Sequence, residues 1–282
     1  MGIVYKIEIE TKLQERLDAP MVWKEICNVK YTDSGTWKNP YLTDSTVGTG
    51  TRGTGYTSTA VATVDDSVNI TDYVYSAQHI DDADLAQKTF SDFMEIADNM
   101  ATMLNEKVET EMLEEHAQWT NFDNASIGGG AGNITVAVDN IKKIITGIKR
   151  EIREAGGGDL LARNGGFIQW READFELVEQ LASSEGFNTA DDALKNGIKQ
   201  GFKYMGLEHY STSKNASGHV FAGVKKAFAV GIVKSTYGRV KTLVNPVVSG
   251  AQISGVGLES RIDLKFKAWA KMAPVLFDVL VS

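Results

Sequence analysis

Residues 89–119 read TFSDFMEIADNMATMLNEKVETEMLEEHAQW, and the stretch contains neither proline nor glycine. Phe93, Ala97, Met100, Leu104 and Val108 recur at spacings of three and four. That period places them on one side of a helix, the side that must find a partner surface. A single helix over this span makes a rod of roughly 45 Å, well beyond the usual globular length. The other side carries Asp92, Glu95, Asp98, Glu106, Glu109, Glu114 and Glu115, which reads as a solvated acidic face. A glycine- and threonine-rich arm and a β segment lead directly into this helix, so it is expected to serve as the spine of an extended subunit.

Working back from the helix, SVNITDYVYSAQHI (67–80) reads as a strand, with Val68 and Ile70 on one face and Tyr73 and Tyr75 sharing a face further along. Asp81, Asp82 and Asp84 follow as capping carboxylates ahead of the helix. They do not form the Asp-x-Asp-Gly turn of a calcium loop. Residues 43–66, TDSTVGTGTRGTGYTSTAVATVDD, have almost no large apolar side chains and one basic residue, Arg52. Such a segment cannot bury itself. Threonine and valine nevertheless favour extended backbone, which predicts a projecting two-stranded ribbon ordered by contact with a partner surface. Gly48, Gly50 and Gly53 spell G-x-G-x-x-G, but no helix N-terminus follows to receive a pyrophosphate, so the match is read as coincidence. Further back, Trp23, Ile26, Val29, Tyr31 and Trp37 are apolar anchors without enough neighbours for a core of their own. An arm docked elsewhere, or a peripheral strand of the same domain, fits them.

Working forward, NFDNASIGGGAGN (121–133) interrupts the chain. A second helix is expected from Thr135 to Ala155, with Val138, Ile141, Ile144, Ile145, Ile148 and Ile152 on one face and Gly156–Gly158 ending it. FIQWREADFELVEQLAS (167–183) reads as a strand entering a helix, TADDALKNG (189–197) as a short helix, and GFKYMGLEHYS (201–211) as a strand. HVFAGV (219–224) and AFAVGIV (227–233) are apolar β runs. In SRIDLKFKAWA (260–270), Ile262, Leu264, Phe266 and Ala268 face one way and Arg261, Asp263, Lys265 and Lys267 the other. This strand is expected to return to the sheet begun at 67–80, leaving an inserted α+β module between.

The 282 residues, 43% hydrophobic, can fill a sizeable core, and the net charge of −8 lacks the basic footprint of a phosphate-gripping protein. Cys27 is the single cysteine, so no intrachain disulfide can form. Charges interrupt the N-terminal apolar residues, unlike a signal peptide, and no apolar run approaches the ~20 residues that span a bilayer. A soluble chain without membrane contact is expected. His79, His116, His209 and His219 show no metal-ligand spacing, and Glu115–His116 reads as a surface pair. No nucleophile elbow or phosphate loop is present. Catalytic residues, cofactors and bound metals are therefore not expected.

Order and local phrases together resemble the major capsid proteins of tailed bacteriophages, of the Hong Kong 97 type. DYVYSAQHIDDADLAQ (72–87) is similar to the family's strand-to-helix entry, FIQWREADFELVEQL (167–181) to the opening of its axial domain, and GFKYMGLEHYSTS (201–213) to a strand after a glycine-led turn. The resemblance covers essentially the whole chain. It implies an α+β fold with an N-terminal arm (1–42), an extended β loop (43–72), a peripheral domain with the long helix (73–158), an axial domain (159–257) and a return strand (258–282). It further implies a non-enzymatic shell protein that assembles with itself as hexamers and pentamers around double-stranded DNA. Portal, scaffold and decoration proteins are the implied partners, the virion the location, and the host cytoplasm the place of assembly. Intersubunit contacts are expected from Val47, Thr49, Arg52, Thr54, Tyr56 and Thr57 in the loop and from Trp23, Ile26, Tyr31 and Trp37 in the arm. Phe93, Ala97, Met100, Leu104 and Val108 are expected to pack the long helix. The chain starts at the arm, which implies a separate or already removed scaffold. No lysine lies in 43–66, so cross-linking through a loop lysine is not expected. An encapsulin-like compartment and a soluble hydrolase using an acid pair in 160–256 are the alternatives.

Overall fold

The computed structural model describes residues 11–12, 14–15, 17, 21–38, 41–42, 63–64, 67–81, 90–127, 132–184, 201–244, 247–248, 251–252 and 256–282. Helix α1 (Val22–Ile26) is followed by β1 (Asn28–Thr32), β2 (Thr36–Lys38), β3 (Tyr41–Leu42), β4 (Thr63–Val64), β5 (Ser67–Asn69) and β6 (Asp72–Asp81). The long helix α2 (Phe90–Glu114) comes next, then β7 (Thr120–Asn121), α3 (Ile141–Glu154), α4 (Gly158–Asn164), β8 (Gly166–Arg171) and α5 (Glu172–Ser184). The remainder is β: β9 (Phe202–Tyr204), β10 (Leu207–Thr212), β11 (His219–Val224), β12 (Phe228–Val233), β13 (Val240–Val244), β14 (Val247–Val248), β15 (Ala251–Gln252), β16 (Val256–Ala270) and β17 (Leu276–Leu280).

The long strand β16 organises a five-stranded sheet. β6 runs antiparallel along one edge from Asp72 to Asp81, while β12 and β13 follow each other along the opposite edge. β1 closes that side, parallel to β12. As its alternation predicts, Ile262, Leu264, Phe266 and Ala268 are buried, and Lys265 is exposed. Asp263 is the exception on the polar face: it is buried, and Arg261 Nε pairs with it at 2.6 Å.

A six-stranded sheet follows the order β7-β17-β11-β8-β10-β9. Its central β8 is buried on both faces through Trp170, which explains the continuous apolar run rather than an alternation. The β9–β10 hairpin turns through Met205 at φ 50° and Gly206 at φ 82°. Positive φ at both central positions matches the right-handed strand twist, and glycine takes it without steric cost. One contiguous core joins both sheets with α2 and α3.

Several boundaries differ from those expected. The long helix stops at Glu114, making about 37 Å, and a 3₁₀ turn (Glu115–Gln118) follows. Trp119 adopts extended backbone and lodges against Phe221 and Phe228 at ring separations of 4.8 and 5.4 Å, so tertiary packing ends the helix where periodicity would continue it. The second helix begins at Ile141 rather than Thr135. Asn140 holds 135–140 as a loop: its Nδ2 donates to Thr135 O at 2.7 Å and its Oδ1 accepts from Ala137 N at 2.9 Å. Val138 is consequently exposed. The strand expected over 67–80 breaks at Ile70–Thr71, where Ile70 N donates to Gly35 O at 2.8 Å and β5 pairs with β2.

Strand β12 belongs to the sheet of β6 and β16, whereas its neighbour β11 belongs to the other sheet. β17, at 276–280, pairs with β11 and β7 instead of extending the return strand. The short helix expected over 189–197 and the carboxylates Asp82 and Asp84 lie outside the described residues.

Candidate assembly surfaces

The arm is built into the chain's own core. Trp23 and Ile26 on α1 are each 1% exposed, and Cys27 places its Sγ 3.1 Å from Met112 Sδ on the long helix. Burial, with the charge of Glu109 adding to it, pushes the Cys27 thiol far above its ordinary range, so it is inert as a nucleophile. Trp37 is buried against Trp269, edge to face at 4.7 Å, and Lys30 Nζ sits 5.0 Å from its ring centre. Tyr31 packs edge to face on Tyr237 at 5.0 Å. Trp23, Ile26 and Trp37, expected as arm anchors, are thus buried within the chain itself. Met112, Tyr237 and Trp269, which receive Cys27, Tyr31 and Trp37, lie far downstream, which is why the local sequence looks too poor for a core.

The six loop positions, Val47, Thr49, Arg52, Thr54, Tyr56 and Thr57, lie outside the described residues. At the base of that segment, β3 and β4 pair antiparallel, Tyr41 opposite Val64 and Leu42 opposite Thr63. Of the five packing positions on the long helix, Met100, Leu104 and Val108 are buried, joined by Ala101, Met112 and Leu113. The side chains of Phe93 and Ala97 lie outside the described residues. The opposite face is less uniformly solvated than expected, because Asn105 and Glu109 are also buried.

An open groove of about 400 Å³ runs between β6 and the long helix, lined by Val74, Tyr75, Ala77, Met103, Leu104 and Lys107. Tyr75 is 62% exposed, with Tyr73 and Met103 also exposed beside it. The Arg261 guanidinium lies 5.8 and 4.7 Å from the Tyr73 and Tyr75 ring centres. Two aromatics, a methionine and an arginine form the kind of patch that protein partners cover.

A second cleft, of about 370 Å³, gathers Glu25, Glu109, Glu172, Tyr210 and Thr212. Gln169 Nε2 donates to Glu109 Oε1 at 3.2 Å, and Tyr210 Oη lies 3.0 Å from Glu25 Oε2 and 2.8 Å from Glu208 Oε2. Burial pushes the Glu109 carboxyl up, opposed by Thr212, Lys214 and Gln169. Burial and the carboxylates of Glu208 and Glu25 push the Tyr210 phenol up. Burial acts to raise Glu208 too, but Lys225 and Tyr210 outweigh it and hold that carboxyl below its ordinary value. The arrangement ties the arm, the long helix and the six-stranded sheet together.

Sequence reading missed a third constellation altogether. His116, on the 3₁₀ turn after the long helix, His219, at the start of β11, and Asp278, inside β17, converge. His219 Nδ1 lies 2.8 and 3.0 Å from the two Asp278 oxygens, and His116 Nδ1 is 3.7 Å from Oδ2. The two imidazoles overlap at 4.2 Å between centres. Burial pushes the Asp278 carboxyl up, with His219 and His116 opposing. The three residues stand far apart along the chain, which left no local spacing to detect.

No family model and no curated protein matches the sequence. Among solved structures, a chain from Mycobacterium phage Che8 is similar with a TM-score of 0.63 at 13% identity, over 92% of this chain and 90% of its own. The mature capsid of bacteriophage PhiM1 gives 0.58 at 11% identity, over 93% of this chain and 87% of that one. A virus-like particle from Pyrococcus furiosus gives 0.54 at 9% identity, over 98% and 100%. At these identities the likeness is one of fold. The chain has the α+β, Hong Kong 97-type fold that its sequence resembles.

Proposed function

We propose that this chain is the major capsid protein of a tailed bacteriophage, assembling with itself as hexamers and pentamers into an icosahedral shell around double-stranded DNA. The observation that carries the reading is the extent of the fold likeness: it spans 93% of this chain and 87% of the PhiM1 mature-capsid chain. A glycine- and threonine-rich sequence with little to bury, lying between β3 and β4 in the chain, supports it, because a ribbon of that composition gains order by lying on a neighbour. Many weak contacts of this kind sum to a stable shell by multivalency, and repeated heterologous contacts close on themselves under symmetry. An acidic subunit suits a container that does not grip phosphates.

In this reading the peripheral domain is the five-stranded sheet with the long helix, and the axial domain is the six-stranded sheet with α3, α4 and α5. The groove lined by Tyr75 and Met103 joins the loop as a subunit contact. Portal, scaffold and decoration proteins are the expected partners, with assembly in the host cytoplasm and the mature protein in the virion. A compartment enclosing protein cargo is the second reading, favoured by the likeness over the full length of the Pyrococcus furiosus particle chain.

Size-exclusion chromatography and electron microscopy of the purified chain test this. Closed shells of tens of nanometres are expected, and nuclease-protected DNA in native particles selects the virion over the compartment. A stable monomer with hydrolytic turnover would overturn both.

A further inference from the structure

We propose that His116, His219 and Asp278 form a binding site for a divalent transition-metal cation of the Zn²⁺ type, joining the end of the long helix to the six-stranded sheet. One donor atom from each of the three residues lies within 4.8 Å of the other two. Metal–ligand bonds of about 2.0–2.2 Å at tetrahedral angles require ligand atoms roughly 3.4 Å apart. The separations from Asp278 Oδ2, 2.8 Å to His219 Nδ1 and 3.7 Å to His116 Nδ1, bracket that value. Closing the site replaces the hydrogen bond between His219 Nδ1 and Asp278 with bonds from both groups to the metal, and turns the His116 ring towards it.

The donor set also selects the ion. Two imidazoles and one carboxylate suit Zn²⁺ and its first-row neighbours, while Ca²⁺ and Mg²⁺ take oxygen ligands almost exclusively. Asp278 is 3% exposed, and a buried carboxylate gains most from a cation that neutralises it. His116 and His219 are each partly exposed, which leaves an entry path and room for water as a fourth ligand. The 3.7 Å from His116 Nδ1 to Asp278 is too long for a hydrogen bond, so turning that ring onto a metal breaks none there.

The three residues come from separate parts of the chain, and the long helix that leads into His116 packs on β6 and β16 of the other sheet. A bound cation would therefore bolt one sheet system to the other at the base of the long helix. The site stands whether or not the chain builds shells.

Isothermal titration of the untagged, chelator-stripped, full-length chain with Zn²⁺, paralleled by Co²⁺ absorption spectroscopy, tests it. One Zn²⁺ per chain is expected, with a Co²⁺ spectrum of tetrahedral or five-coordinate type and a melting temperature that rises with Zn²⁺ concentration. His116→Gln and His219→Gln should each weaken binding at least tenfold. His219→Gln retains an N–H donor for Asp278, and His116→Gln leaves that hydrogen bond untouched, so both variants are expected to fold, as circular dichroism checks. Absence of Zn²⁺ uptake, or uptake of equal strength in the folded variants, would overturn the proposal.

Discussion

Trp170 Nε1 donates to His209 Nδ1 at 2.9 Å, between two side chains that are both 0% exposed. The other ring nitrogen, Nε2, lies 3.1 Å from Tyr204 O and donates to it, which fixes the neutral tautomer. A second proton would have to enter at Nδ1 and would break the tryptophan bond. Burial accordingly lowers the His209 pKa from 6.5 to about 4, with the Tyr204 carbonyl opposing. Above pH 6.5 His209 is neutral in both folded and unfolded chains, and its contribution is intact. As pH falls from 6.5 towards 4 the unfolded chain takes up a proton that the folded chain refuses, so stability is lost across that window at up to about 1.4 kcal/mol per pH unit. Urea midpoints measured across this range should fall more steeply for the wild type than for His209→Gln. Equal slopes would sink the assignment.

Trp23 separates folding from assembly. Because the indole is buried in the chain's own core, Trp23→Ala should cost about 3–5 kcal/mol of subunit stability, visible in denaturant unfolding of unassembled protein. Deletion of residues 46–66 should do the reverse, leaving a folded subunit with a near-normal unfolding transition and no closed shells by electron microscopy. Normal shell yield from the deletion would remove the ribbon from the assembly scheme.

Gly223 sits in β11 where the neighbouring backbone comes close. A Cβ there would meet Val275 O at 2.6 Å and Leu276 Cα at 3.1 Å, neither of which can turn away as a flexible side chain would. Gly223→Ala should destabilise by about 1–3 kcal/mol. At Gly35 a methyl group would meet nothing within 4 Å, so alanine there should be tolerated within about 0.5 kcal/mol. Paired equilibrium unfolding curves decide it, and equal effects would count against the close approach.

The parts of the fold written in local period were legible. Met100, Leu104 and Val108 announced the long helix, and Ile262, Leu264, Phe266 and Ala268 the strand β16, because each pattern repeats within one element. What remained hidden was the pairing between distant segments. Nothing in NVKYT (28–32) specifies that it will lie parallel to FAVGIV (228–233), and neither of the similar apolar runs at 219–224 and 228–233 reveals that they part into different sheets. Trp23 reads as an outward anchor for the same reason. Its core is assembled from elements that come much later in the chain. His116, His219 and Asp278 carried no motif because their proximity is made by a helix end meeting two strands.

The placement of β16 and β17 has a consequence for synthesis. β16 holds together β6, β12 and β13, and β17 sits between β7 and β11, so both sheets depend on residues 256–280. During translation the pairings of β1 with β12 and among β8, β9, β10 and β11 have their partners before residue 256, but the five-stranded sheet cannot be completed until Ala270 has been added, nor the six-stranded one until Leu280 has. A product terminated before residue 256 therefore lacks the joining strand of both sheets at once. The order of translation itself becomes a form of quality control, since a chain that has not been read through to that point has no finished subunit to contribute.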